Sequence, residues 1–190
     1  MRLIRATEYR RMRWKNGGGE TAEIAISPAG AALDQFDWRI SMARIESAGP
    51  FSAFPGVDRT LTVLDGAGLR LAVDGAPAIE LTPRSAPFSF AGDGASEGTL
   101  IGGHVTDLNV MTRRDRLWHR VRRCAITGTR SVESKAPTVL IFCVAGSVQV
   151  GGDTAQLAAL DTLLVEQHPL SIELVSDPHA EVVFIEISRR

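Results

Sequence analysis

LTVLDGAGLRLAV (residues 61–73) and VLIFCVAGSVQV (residues 139–150) are the two stretches that decide the fold. Each is an apolar run, then a tight Ala-Gly turn (Ala67-Gly68 and Ala145-Gly146), then a second run that alternates. Two short strands joined by a turn read this way. A second match lies downstream, LNVMTRR (residues 108–114) beside FIEISRR (residues 184–190). The offset is 78 between Gly68 and Gly146, and 76 between Arg114 and Arg190. Two matches at nearly one offset point to tandem copies of one β unit. The closing strands differ: with the Arg-Arg ends aligned, Val183 and Ile185 fall opposite Asp107 and Asn109.

The rest of the chain agrees. Short runs at 21–27, 38–45, 59–65, 69–73, 78–81, 88–90, 99–102 and 108–111 are divided by Gly, Pro and Asp. Later runs lie at 139–145, 147–150, 162–165, 171–174 and 181–188. This spacing predicts an all-β sandwich or barrel. Helical signal is confined to residues 7–12 and a turn around 114–119. The division is expected between residues 112 and 113, with the site in 1–112 and a scaffold in 113–190.

Composition bounds the function classes. The 190 residues carry 21 basic and 22 acidic side chains, which excludes a general nucleic-acid binder or a polybasic membrane protein. RRDRLWHRVRR (residues 113–123) is therefore read as a solvated connector whose charges pair elsewhere. Met1 to Trp14 has five arginines and no apolar h-region, and no run spans a bilayer, so the expected location is the cytoplasm. Cys124 and Cys143 form no CxxC, and Cys143 in its apolar run reads as a buried free thiol. His104, His119, His168 and His179 lack metal-ligand spacing, so no metal and no cofactor is expected. Exposed β edges allow a homodimer.

The dense signals lie in residues 14–59. WKNGGGET (residues 14–21) sets three glycines before a strand, either as an anion-binding nest or as a plain tight turn, with spacing alone favouring the turn. In FDWRISMARI (residues 36–45), period-2 alternation sends Arg39, Ser41 and Ala43 to one face and Trp38, Ile40 and Met42 to the other. In DLNVM (residues 107–111), Asp107, Asn109 and Met111 share a face. An arginine, a serine and an asparagine converging inside a barrel would read a carboxylate or an amide. GPFSAFPGVDR (residues 49–59) forms a rigid, partly apolar loop suited to a pocket wall, with Asp58 and Arg59 read as a structural ion pair.

WKNGGGET (14–21), FDWRISMARIESAGPFSAFPGVDRTLTVLDG (36–66) and DLNVMTRR (107–114) together resemble the HutD/Ves family, cupin-fold proteins associated with bacterial histidine utilisation. The resemblance is strong over roughly the first 115 residues and implies a bicupin, two tandem antiparallel double-sheet β-barrels with few short helical turns. The His-x-His set of metal-dependent cupins is missing from this sequence. Carried over residue by residue, the segments give Asn16, Gly17, Gly18, Arg39, Ser41, Phe54, Asp58, Arg59, Asp107 and Asn109 as positions of interest. The implied function is binding of a small anionic metabolite, such as urocanate or N-formylglutamate. The alternative is a metal-independent enzyme using Asp107 or His104 as base.

Overall fold

The computed structural model describes residues 1–151, 155–166 and 169–190; His168 lies outside them. These residues divide into two compact units, one of Arg10–Trp118 with Arg190, the other of Met1–Tyr9 with His119–Arg189.

The Arg10–Trp118 unit consists of two antiparallel sheets. The larger runs in the order β2 (Arg10–Arg13), β3 (Gly19–Ser27), β4 (Trp38–Ile45), β11 (Val105–Arg113), β6 (Val57–Asp65) and β9 (Phe88–Ala91). The smaller runs β5 (Gly49–Phe51), β10 (Ser96–Leu100), β7 (Leu69–Val73) and β8 (Ile79–Leu81). Ala43, Ile45, Leu61, Val63 and Val105 of the first sheet pack on Leu69, Leu71 and Leu81 of the second. Each set recurs at every second residue, so alternation alone places it inward. β4 is buried on both faces: Trp38, Ile40 and Met42 are as well covered as Arg39, Ser41 and Ala43.

The other unit is one seven-stranded antiparallel sheet. Its order is β1 (Arg2–Ile4), β16 (Thr162–Val165), β13 (Thr138–Ala145), β17 (Leu170–Arg189), β14 (Val148–Val150) and β15 (Ala155–Leu157). A seventh strand, β12 (Leu117–Ser134), pairs with β17. Its core is almost wholly aliphatic, with Val139, Ile141, Leu163, Val182 and Phe184 among its members.

Three expectations shift. The first nine residues do not join the unit that follows them, because β1 pairs with β16 in the register Arg2↔Leu164. The helix expected at 7–12 is a single 3-10 turn, Ala6–Glu8, followed by β2. Cross-strand pairing wins there: Arg10 to Arg13 lie opposite Glu23 to Glu20, and Arg11 meets Glu20 at 2.9 Å. The turn near 114–119 is confined to Arg114, Asp115 and Arg116, and β12 begins directly afterwards. β12 escapes sequence reading because its charges hide its alternation. Those charges have partners, Arg122 on Glu186 at 3.1 Å and Arg123 on Glu181. Among the described residues, no helix is long and apolar enough to cross a membrane.

The N-terminal segment is held by one buried carboxylate. Asp161 accepts from the Ala6 amide at 2.9 Å, from Arg5 at 2.7 Å and from the Ala158 amide at 3.1 Å. Burial opposes its ionisation, but these three donors win and hold the carboxyl below its ordinary range. A depressed carboxyl contributes stability above its unfolded pKa and loses it as pH falls through the folded value. Asp161→Ala should therefore lower unfolding stability by about 2 kcal/mol at pH 7 and by progressively less in acid. Urea denaturation at pH 7 and pH 3 measures this, and an equal loss at both would refute it.

Candidate functional site

The inward polar residues of β4, β6 and β11 meet in a cavity of about 310 Å³ in the Arg10–Trp118 unit. Arg39, Ser41 and Ala43 arrive from β4, Arg59 from β6, and Asp107, Asn109 and Met111 from β11. Cross-strand pairing places them side by side: Asn109 lies opposite Ser41 on one flank and Leu61 on the other, and Met111 lies between Arg39 and Arg59. Trp14, Asn16 and Leu33 line another part of the wall, and Phe51 and Phe54 a third.

Two guanidiniums are buried here, and they are held differently. Arg39 is a closed pair: its Nε donates to Glu23 at 2.7 Å and a terminal nitrogen to Ser41 Oγ at 3.3 Å. Arg59, only 4% exposed, touches no carboxylate directly. Its terminal nitrogens donate to the Ser52 carbonyl at 3.1 Å and to Asn109 Oδ1 at 2.9 Å. Its buried Nε has no hydrogen-bond partner among the described residues. Three rings replace the missing counter-charge, with Phe90, Phe54 and Phe51 at 5.0, 5.7 and 5.8 Å from the guanidinium carbon. Burial pushes Arg59 down to about 10, against the pull of Asp107 and with the push of Arg39.

Asp107 is the second member of a relay. It is 1% exposed, and its Oδ1 accepts from Asn109 Nδ2 at 2.8 Å. That bond turns Asn109 Oδ1 toward Arg59, so cation and anion are bridged by one amide. Burial raises the Asp107 carboxyl to about 7, and Arg59, Asn109 and the Ala43 backbone amide restrain the rise.

The expected residues divide. Asn16, Arg39, Ser41, Phe54, Arg59, Asp107 and Asn109 line this cavity; Gly17, Gly18 and Asp58 do not. The glycine run is built as a turn. Gly17 N donates to the Trp14 carbonyl and Gly18 N to Asn16 Oδ1, so these amides are already engaged. Gly17 sits at φ +72°, and a Cβ on Gly19 would come within 2.3 Å of the Arg44 carbonyl. The Asp58–Arg59 ion pair is not formed, because neighbours along a strand face opposite ways. Arg59 turns inward, while Asp58 meets Arg114 at 2.5 Å, and Arg114 also binds Asp93. A larger open cleft of about 650 Å³ beside Arg113, Arg114 and Arg116 offers less, since Arg114 and Arg116 are already paired with Asp93, Asp58 and Asp37. His104 does not line the cavity. Among the described residues, no three His, Cys, Asp or Glu side chains gather as a metal site.

Sequence reading missed Glu23 and Phe90, while Phe51 belongs to the 49–59 loop expected to wall a pocket. Two glycines mark where Arg59 and Phe51 lie. A Cβ on Gly92 would meet Arg59 Cδ at 3.0 Å, and one on Gly98 would meet the Phe51 ring at 2.9 Å. Each is bare so that a site side chain can lie across it.

The other unit lacks this site, and the register says which residues replace it. A Cβ on Gly66 would face the His104 carbonyl and Val105 Cα; one on Gly146 would face the His179 carbonyl and Ala180 Cα. Gly146 therefore matches Gly66, two residues before the expected Gly68. The bulges agree, at Thr106/Asp107 against β6 and at Cys143/Ala145 against β17. Asp107 and Asn109 then correspond to Val182 and Phe184, where the sequence alignment put Val183 and Ile185, and Arg59 corresponds to Val139. A one-residue slip exchanges the faces of a strand. Val139, Val182 and Phe184 all belong to the apolar core of their unit.

A carboxyl raised by burial binds its proton more tightly folded than unfolded, so between about pH 4 and pH 7 stability should fall as pH rises. Asp107→Asn should remove a slope of up to about 1.4 kcal/mol per pH unit in that window. Parallel urea titrations of both proteins from pH 5 to pH 8 measure it, and curves that stay parallel would refute the assignment.

The HutD family model matches residues 6–184. A Pseudomonas putida protein described as an uncharacterized 21.2 kDa protein in the hutC 3' region is 42% identical over 87% of each chain. Protein Ves of Citrobacter koseri is 43% identical over 73% of this chain and 70% of its own. Among solved structures, HutD from Pseudomonas fluorescens superposes with a TM-score of 0.86 at 38% identity, covering 100% of this chain and 98% of that one. A cupin barrel protein from Leptotrichia buccalis shares the fold alone, with a TM-score of 0.60 at 8% identity, covering 97% of this chain and 100% of that one. The family model matches along nearly the whole chain and the Pseudomonas putida relative is 42% identical over 87% of it: this chain belongs to the HutD family.

Proposed function

We infer that this chain is a bicupin that binds, and so senses or buffers, a small anionic intermediate of histidine catabolism in the cytoplasm, with urocanate and N-formylglutamate as candidate ligands. The observation that carries the reading is Arg59, a buried cation that lines the cavity among aromatic rings and meets no carboxylate directly. Such a group favours a carboxylate, which its planar fork can take in two parallel bonds. The cavity has the mixed character of small-ligand sites, mostly apolar with a few convergent polar groups. Ser41, Asn16 and the free end of Arg39 supply further hydrogen bonds, and the names of the relatives tie the family to the hut region.

The apolar core at the corresponding positions of the other unit fits a scaffold role. Calorimetric titration with N-formylglutamate and with urocanate tests the reading. Wild-type protein should bind at least one of them saturably, and Arg59→Ala and Arg39→Ala should each weaken binding by about ten- to a hundredfold, the worth of one charge-assisted contact. Undiminished binding by both variants would sink it.

A further inference from the structure

The cavity's two buried cations are already matched before any ligand arrives. Arg39 is matched by Glu23 at 2.7 Å. Arg59 is matched by Asp107 through the Asn109 amide. The other charged group lining the cavity is Arg13, exposed at the end of β2. The smaller sheet and its loops contribute only Pro50, Phe51, Ser52 and Phe54, which carry no charge. A carboxylate docking on Arg59 would therefore place a second anion on one buried cation, one amide away from Asp107. Two anions beside one buried cation repel strongly, and the cheapest relief is a proton on the one already buried there.

We propose that the site takes up its carboxylate ligand together with a proton, and that Asp107 receives the proton. The proposal rests on the carboxylate-binding reading and adds the regulation of that site. Among the described residues, no lysine, arginine or histidine hydrogen-bonds the buried Asp107 carboxylate, only Asn109 and the Ala43 amide. Its charge is thus the most weakly anchored in the cavity. A carboxyl raised by burial to about 7 also puts the free protein at the balance point around neutral pH. Protonated Asp107 gains a donor, so it can hydrogen-bond the ligand it would otherwise repel. The affinity for the anion then rises as pH falls, and the protein reports metabolite and acidity jointly.

N-formylglutamate is the probe, since its own carboxyls stay ionised from pH 6.5 to pH 9. Titrations in buffers of different ionisation enthalpy count the protons taken up. Wild-type protein should take up between zero and one proton per ligand, approaching one near pH 8, with affinity falling by up to about tenfold per pH unit above neutrality. Asp107→Asn, which mimics the protonated shape, should show no uptake and a flat affinity profile. Infrared difference spectra of the wild-type protein at pH 8 give a readout independent of the variant, a protonated carboxyl band that appears on adding ligand. Binding with a flat profile and no such band overturns the proton coupling alone. Proton uptake that persists in Asp107→Asn overturns the assignment to this residue. No binding of N-formylglutamate or of urocanate at any pH overturns the carboxylate reading and this proposal with it.

Discussion

Burying the Arg59 guanidinium is the constraint on which the surrounding structure depends. An unpaired cation at 4% exposure is costly. The chain meets that cost with weak, distributed contacts in place of a direct ion pair. Three phenylalanine rings surround the guanidinium, one backbone carbonyl and one side-chain amide accept from it, and a carboxylate stands behind the amide. Each demand propagates outward. Phe51 needs Gly98 bare beneath it, and the Arg59 stem needs Gly92. Gly92 is in turn locked to the loop by its amide on the Val57 carbonyl and its own carbonyl on the Phe54 amide. The 49–59 segment thus holds two of the rings that hold the cation.

Much of this was legible in the sequence wherever alternation governs. The inward face of Arg39, Ser41 and Ala43 and that of Asp107, Asn109 and Met111 follow from a period of two, and both line the cavity. What alternation does not contain is which polar neighbour a side chain will meet. Asp58 and Arg59 stand together in the chain and so look like a pair, but the same period that places Arg59 inside sends Asp58 outside to Arg114. Glu23 was invisible for a related reason. Its partnership with Arg39 depends on β3 lying beside β4 with a bulge between Glu23 and Ala25, and no local pattern encodes that register. The strand β12 was hidden by composition, since a segment rich in arginine reads as a connector until the glutamates on β17 that neutralise it are known.

The comparison between units shows how little register error a functional reading tolerates. Matching the Arg-Arg ends gave the right conclusion, polar groups in one unit against apolar groups in the other, on the wrong face of the strand. The crowded glycines supply the better anchor, because Gly66 and Gly146 each leave room for one particular carbonyl and Cα. With that anchor, Arg59, Asp107 and Asn109 stand against Val139, Val182 and Phe184. The whole relay is replaced at once. This is the pattern expected of groups that depend on one another, since Asp107 without Arg59 would be a buried anion with nothing to bridge to.

The two arginines of the cavity show why the relay matters more than the charge count. Arg39 and Glu23 meet directly through the guanidinium Nε, so much of their fields cancels locally. Arg59 and Asp107 are held apart by an amide that hydrogen-bonds to both. The separation keeps them mutually stabilising across the sheet but leaves the cation incompletely satisfied, with Nε unpartnered. It also leaves the anion soft, its carboxyl lifted by burial more than it is lowered by Arg59. A direct pair at this position would have been a finished structural element. The inserted asparagine keeps the same two charges as separate groups, a cation with an unpartnered Nε and a carboxyl raised by burial.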